Sequence, residues 1–228
     1  MDFPANLKKL EDRVGQALRR SGRPQGSVAV LAVSKSADAE AVRAVRKLGV
    51  LCFGENRWQE ARPKIERLAG GGIEWHFIGR LQTNKLPRIL DDFAVVQSFD
   101  RIDHLEKADA HLAGRETAKT VFLQVNISGE PQKGGFAPED VRRFFGEGGP
   151  GRLRRLRITG LMGIGPAAPG EAAVRGAFRN FRKLYDQMKA VHPGLETLSM
   201  GMSGDFEAAI EEGSTMIRVG TAIFGERD

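Results

Sequence analysis

Val28-Ala29-Val30-Leu31-Ala32-Val33-Ser34-Lys35 is an unbroken apolar run closed by a lysine. Aliphatic residues without polar alternation describe a strand covered on both faces, as in parallel sheets whose crossover helices lie outside. Further strand-like runs fall near 50–53, 74–78, 94–97, 120–127, 157–162, 195–199 and 215–219. Stretches with helical spacing separate them; in the clearest, Val174, Phe178, Phe181, Tyr185 and Met188 share one helix face. Eight strands alternating with helices predict an α/β fold, a (β/α)8 TIM barrel, as a single domain over 1–228. An extra N-terminal helix precedes it, because Leu7, Leu10, Val14 and Leu18 keep helical spacing where a signal peptide would need an apolar centre. A doubly wound open sheet is the competing architecture; it would ordinarily carry a glycine-rich dinucleotide loop after an early strand, and none is present.

Composition narrows the function classes. Hydrophobic content of 41% and charged content of 28% describe an ordinary globular chain, and no apolar stretch approaches a membrane span. The single cysteine, Cys52, excludes an internal disulfide and a cysteine-based metal cluster, and the expected location is cytoplasmic. The net charge of +6 invites a nucleic-acid partner. Its densest cluster, Arg152, Arg154, Arg155 and Arg157, has no interleaved aromatic stacking platforms, so a solvated basic face is expected and no nucleic-acid or membrane partner.

In a barrel the C-terminal strand ends surround one mouth. Read in order they offer Lys35; Gly54-Glu55-Asn56; His76 with Gly79-Arg80-Leu81-Gln82; Gln97-Ser98; Asn126; Met162; Ser199-Met200-Gly201-Met202-Ser203; and Arg218-Val219-Gly220-Thr221. Two readings of Lys35 are open. A lysine mounted on a dry strand end loses hydration, its charged form is disfavoured, and its amine can capture a carbonyl as a Schiff base. A lysine that snorkels into water does nothing chemical. Glu55 is read as the ion-pair partner of a helix-end arginine, and His76 as a core histidine or a support behind the site. Cys52 reads as a small buried hydrophobe. Asn56 and Asn126 either orient a ligand or close strand ends.

Gly201 and its neighbours let backbone N–H groups approach a ligand, and Ser203 is placed to cap the next helix. Gly220-Thr221-Ala222-Ile223-Phe224-Gly225 has the length of one short extra helix. Loops after strands seven and eight with such a helix form the recurrent phosphate site of this fold, ordinary capped turns being the alternative. A phosphate site facing a Schiff-base lysine implies a phosphorylated carbonyl compound, either a cofactor such as pyridoxal phosphate or a sugar phosphate. Arg218 adjoins it, and a guanidinium meeting a pyridine nitrogen keeps that nitrogen unprotonated and the ring a weaker electron sink.

Several segments carry a resemblance. Ala32-Val33-Ser34-Lys35, Phe53-Gly54-Glu55-Asn56, Trp75-His76-Phe77-Ile78-Gly79-Arg80-Leu81-Gln82-Thr83-Asn84-Lys85, Gly160-Leu161-Met162, Leu198-Ser199-Met200-Gly201-Met202-Ser203 and Ile217-Arg218-Val219-Gly220-Thr221-Ala222-Ile223-Phe224-Gly225 resemble, in order, the motifs of the pyridoxal phosphate homeostasis protein family. The resemblance runs from about Leu7 to the C-terminus. It implies a single-domain barrel similar to the N-terminal domain of alanine racemase, with pyridoxal 5'-phosphate held on Lys35 as a Schiff base. It matches Ser203, Gly220 and Thr221 to the phosphate-holding loops and Arg218 to the arginine facing the pyridine nitrogen. The cofactor-binding set is thus Lys35, Asn56, Ser199, Gly201, Ser203, Arg218, Gly220 and Thr221; no catalytic residue or metal ligand is assigned. Two positions depart from the family pattern: Arg80, where many members have histidine, and Gly163, in an expected loop where a larger residue is common. Neither is expected to touch the lysine or the phosphate motif.

Racemisation on this cofactor needs acid/base groups on both faces of the amino acid. By the resemblance, racemases take the second group, a tyrosine, from another domain of a partner subunit. The only tyrosine here, Tyr185, falls on an apolar helix stripe. The expectation is a monomeric, non-enzymatic module that buffers pyridoxal phosphate and delivers it to apo-enzymes. A racemase-like enzyme is the first alternative and a Schiff-base aldolase on a sugar phosphate the second.

Overall fold

The first strand, β1 (Ala29–Val33), pairs in parallel with β2 (Cys52–Glu55) on one side and with the last strand, β8 (Met216–Val219), on the other. Between these lie β3 (Glu74–Phe77), β4 (Val95–Phe99), β5 (Lys119–Val125), β6 (Leu156–Gly163) and β7 (Thr197–Ser199). Every neighbour pair is parallel and follows chain order, so the sheet closes into the expected eight-stranded barrel. This computed structural model describes residues 1–130, 132–167 and 170–225. Gly54 and Glu55, read from the sequence as the exit of the second strand, lie within it.

Alternation along the strands separates two apolar groups. Leu31, Val95, Phe122, Met162 and Met216 fill the barrel lumen with Cys52, Ile78 and Ile164 packed on them. A larger group, including Phe53, Val96, Leu123, Leu161 and Ile217, joins the outer strand faces to the helices. These helices are α1 (Phe3–Arg20), α2 (Ala39–Lys47), α3 (Trp58–Arg67), α4 (Leu86–Asp92), α5 (Ile102–His111), α6 (Pro138–Gly146), α7 (Gly149–Arg152), α8 (Glu171–Val191), α9 (Phe206–Glu211) and α10 (Thr221–Phe224). On α8, Phe178, Phe181, Tyr185 and Met188 are buried, as their spacing predicts. The glycine run 146–151, expected as a loop, contains α7; the run 165–170 lies partly outside the described residues. No helix among the described residues is long and apolar enough to cross a membrane.

With four residues, α10 is too short to shield β8 and β1. The N-terminal α1 takes that place, packing against α2, α9 and α10. Its fit is specific: Phe3 meets Phe224 edge-on with ring centroids 6.1 Å apart, and Asn6 Nδ2 donates to Ile223 O at 3.0 Å. Arg13 pairs with Glu207 and Arg20 with Glu211, both at 2.6 Å. Leu18, 1% exposed, sits in the shared core. Leu18→Ala is therefore expected to cost about 2–5 kcal/mol of unfolding free energy in denaturant titrations. Lys9→Ala on the exposed face of the same helix should stay within about 0.5 kcal/mol of wild type.

Candidate functional site

Strand parity determines which side chains reach the barrel mouth. From Leu31 and Met216 in the lumen, every second residue leads to Val33, the last of β1, and to Arg218 and Gly220; Cys52 leads likewise to Gly54 and Asn56. A Cβ at Gly220 would stand 3.1 Å from Val33 O, so the end of β1 and the turn after β8 are in contact.

Lys35 itself departs from the desolvated strand-end picture. β1 stops at Val33, and Lys35 stands two residues further on in a turn, exposed. It lines a cavity of about 480 Å³ between this turn and α3, with Asp38, Glu60, Lys64 and Arg67. The turn is nonetheless held tightly. Lys64 Nζ, reaching in from α3, donates to Ser34 O at 2.8 Å and Ala37 O at 3.1 Å, gripping the backbone on both sides of Lys35. The same ammonium donates to Glu55 Oε1 at 2.6 Å, which also accepts from Ser34 Oγ at 2.6 Å. Glu55 is fully buried; burial raises its pKa, and the bonds from Lys64 and Ser34 pull the other way. Its partner is thus a lysine on α3, where an arginine was expected. Nothing in the local sequence marks Lys64 for this role.

Arg218 is 4% exposed and shares the far side of the mouth with Ser199. Its Nη1 donates to Ser199 O at 2.8 Å and Ser199 Oγ at 2.9 Å, and its Nη2 to Gly163 O at 2.9 Å. These partners are all neutral, and burial drives the guanidinium pKa down to about 10, against the pull of Asp205. It remains charged at neutral pH. Behind it, Ser199 Oγ donates to Gln97 Oε1 at 2.8 Å, and Gln97 Nε2 lies 2.8 Å from His76 Nδ1. His76 is buried, as a support behind the site should be. The strand-end reading named Gln97 without giving it a role; an amide inside a buried strand was the available signal. Gly163 lies in β6, not in a loop, and contacts Arg218 directly through its carbonyl. A Cβ there would come within 2.7 Å of the Phe181 ring, so the missing side chain is required by packing.

The turn after β7 runs through Gly201 at φ +95°, a conformation that favours glycine, and Gly201 O accepts from Arg218 N at 2.9 Å. Ser203 does not cap α9, whose N-cap residue is Asp205; instead Ser203 Oγ accepts from Gly220 N at 3.3 Å and ties the two glycine turns together. Thr221 opens α10, is exposed, and with Ala222 presents first-turn N–H groups that have no intrahelical partner. Ser199, Gly201, Ser203, Arg218 and Gly220 thus form one connected group with Thr221 beside it. Asn56 stands apart, half-buried in the wall of a cavity of about 510 Å³ with Arg80 and Gln82. Asn126 closes its own loop, donating to Glu130 O and Lys133 O at 3.0 Å each. Arg152, Arg154 and Arg157 lie exposed near the start of β6, at the other end of the barrel.

The family model described as alanine racemase, N-terminal domain, matches residues 5–228. A Pseudomonas aeruginosa protein named pyridoxal phosphate homeostasis protein is 42% identical, over 98% of this chain and 95% of that protein. Its counterpart of the same name in Aquifex aeolicus is 37% identical over 100% and 99%. The chain belongs to the pyridoxal phosphate homeostasis protein family. The solved structure of PipY from Synechococcus elongatus PCC7942 with pyridoxal phosphate bound is 33% identical, with a TM-score of 0.81 over 94% of this chain and 99% of that one.

The residues at this mouth fit the group after which the family is named. A buried guanidinium satisfied only by neutral oxygens suits an electron-rich ring nitrogen. Free N–H groups of Thr221 and Ala222 in the turn after β8, with the Ser203 hydroxyl beside it, suit a phosphate, and an exposed amine on a clamped turn suits an aldehyde. The clamp can be tested by itself. Lys64→Met leaves Glu55 buried without its cation and is expected to cost about 3–5 kcal/mol in chemical denaturation. Adding Glu55→Gln should recover a large part of that loss, because the uncompensated charge disappears.

Proposed function

We propose that this chain, as one domain over 1–228, holds pyridoxal 5'-phosphate on Lys35 and serves its homeostasis by buffering it and delivering it to apo-enzymes. We propose further that it acts in the cytoplasm as a monomer. The observation that carries this reading is Arg218: a fully buried cation with no carboxylate bonded to it among the described residues, tied by hydrogen bonds into the glycine turns that adjoin the end of β1. When bound, pyridoxal phosphate supplies an aldehyde that an amine captures reversibly.

Each residue then has a task. Lys64 and Glu55 fix the turn so that Lys35 is presented at one place, while its exposure leaves the amine open to exchange with solvent. Asn56 stands at the exit of β2, in the wall of the neighbouring cavity. Gly201, Ser203, Gly220 and Thr221 would hold the phosphate through main-chain N–H groups and hydroxyls, and Ser199 holds Arg218 in register. Arg218, which resists giving up a proton, would keep the ring nitrogen unprotonated and discourage carbanion chemistry. The only tyrosine is engaged elsewhere: Tyr185 is buried on α8 with its hydroxyl donating to Leu195 O at 3.2 Å. It cannot serve as the second acid/base group of a racemase, and a reversible anchor follows.

Purified protein should show the visible absorption of a Schiff base, and borohydride should fix the cofactor to Lys35. Lys35→Ala should abolish both while remaining folded. A colourless wild type with turnover on a sugar phosphate would overturn the assignment in favour of an aldolase. Rapid, Lys35-dependent exchange of amino-acid α-protons with deuterium would replace a holder with an enzyme. Delivery predicts reactivation of an apo-enzyme by the loaded protein.

A further inference from the structure

The barrel end opposite the mouth carries a second constellation that the cofactor does not use. Cys52 opens β2 and Glu74 opens β3, and the two residues are register partners. His76, two residues beyond Glu74, projects to the same side of β3. Cys52 Sγ, a Glu74 oxygen and a His76 ring nitrogen all lie within 4.8 Å of one another. Individually, His76 Nε2 is 2.7 Å and Cys52 Sγ 3.8 Å from Glu74 Oε1.

We propose that Cys52, Glu74 and His76 form a binding site for one zinc-class divalent cation, with water as the fourth ligand. Bonds of about 2.0–2.3 Å set tetrahedral ligand atoms about 3.3–3.7 Å apart, so the His76–Glu74 contact must open by well under an ångström, the Cys52–Glu74 distance is already near its value, and the Cys52 side chain closes on His76 from within 4.8 Å. Thiolate, carboxylate and neutral imidazole bring two negative charges, which a divalent ion cancels; a neutral cluster is one the barrel lumen can accommodate. All three ligands stand on two hydrogen-bonded strands, a rigid mount. Glu74 retains 52% side-chain exposure, so the ion has a way in from solvent.

Ligation through Nε2 requires the proton of His76 to sit on Nδ1, where a second group must accept it. Gln97 is in place, 2.8 Å away: a half-turn of its amide brings the oxygen to Nδ1, and the Ser199 hydroxyl, which then accepts from the NH2, gives up its present bond to Gln97 Oε1. On loading, the Cys52 thiol gives up its proton to solvent, the His76 Nε2–H bond breaks as a proton is taken up at Nδ1 through solvent exchange, and no redox change occurs. Without an ion this thiol is inert, because burial and the Glu74 charge raise its pKa to about 11. The inference stands whether or not Lys35 carries a cofactor.

The test uses the full chain titrated with Co²⁺ as a spectroscopic zinc substitute. Since Cys52 is the only cysteine, a near-ultraviolet thiolate-to-cobalt charge-transfer band can arise only there. We expect the band to saturate at one equivalent and to be bleached by Zn²⁺. Cys52→Ser should remove it, and His76→Gln should weaken binding at least about 10-fold, the smallest loss usual even for residues behind the ligands. Circular dichroism reports whether each variant is folded. No band with folded wild type, or cobalt binding unaltered by Cys52→Ser, overturns the proposal. So does binding that persists through Glu74 and His76 alone.

Discussion

Pairing of β1 with β8, in the register Ala29↔Met216 through Ala32↔Val219, is the constraint on which the molecule depends. It closes the sheet, and closure alone brings Val33 and Gly220 side by side although most of the chain separates them. The same pairing leaves the outer faces of β1 and β8 under a final helix of only four residues. The N-terminal helix is the remedy. Covering those strands from outside, it is as much a barrel element as the helices that follow strands, and its aromatic and ionic contacts with α9 and α10 follow from that position.

Two buried cations then divide the labour of the mouth, and their environments differ in kind. Lys64 meets a carboxylate and two carbonyls, so its charge is compensated, and the arrangement is a structural clamp. Arg218 donates only to neutral oxygens, and the Asp205 charge acts on it without a hydrogen bond. Burying a cation in this way is costly unless something else gains from it. A clamp needs an internal counter-ion, whereas a cation bonded only to neutral groups keeps its charge available.

Much of this was legible in the chain. The apolar runs placed eight strands, the stripe on 174–188 placed the longest helix, and the glycine turns after 199 and 219 fell together because barrel topology requires it. What sequence could not supply is partnership across elements. Lys64 looks like any charged residue on an amphipathic helix, and only the folded geometry turns it inward to Glu55. Ser203 looks like a helix cap and instead bonds across to Gly220, since Asp205 takes the N-cap position. Gly163 looks like a loop residue, yet its carbonyl holds Arg218 and its missing Cβ makes room for Phe181. Lys35 was expected on a dry strand end, whereas β1 ends at Val33 and the turn that follows faces water.

The lumen joins these parts. Hydrogen bonds run from Glu74 through His76, Gln97 and Ser199 to Arg218 and end on Gly163 O, threading a filling that is otherwise apolar. Gln97 Nε2 also donates to Met216 Sδ at 3.3 Å, so both amide hydrogens are used. With each member satisfied, such a thread penalises any shift of one strand against another, since a slip would strand several polar groups at once. It fixes the orientation of Arg218 through both of its terminal nitrogens. The polar residues of the lumen thus hold a charge rigidly, at a place where hydrophobic packing alone would have excluded it.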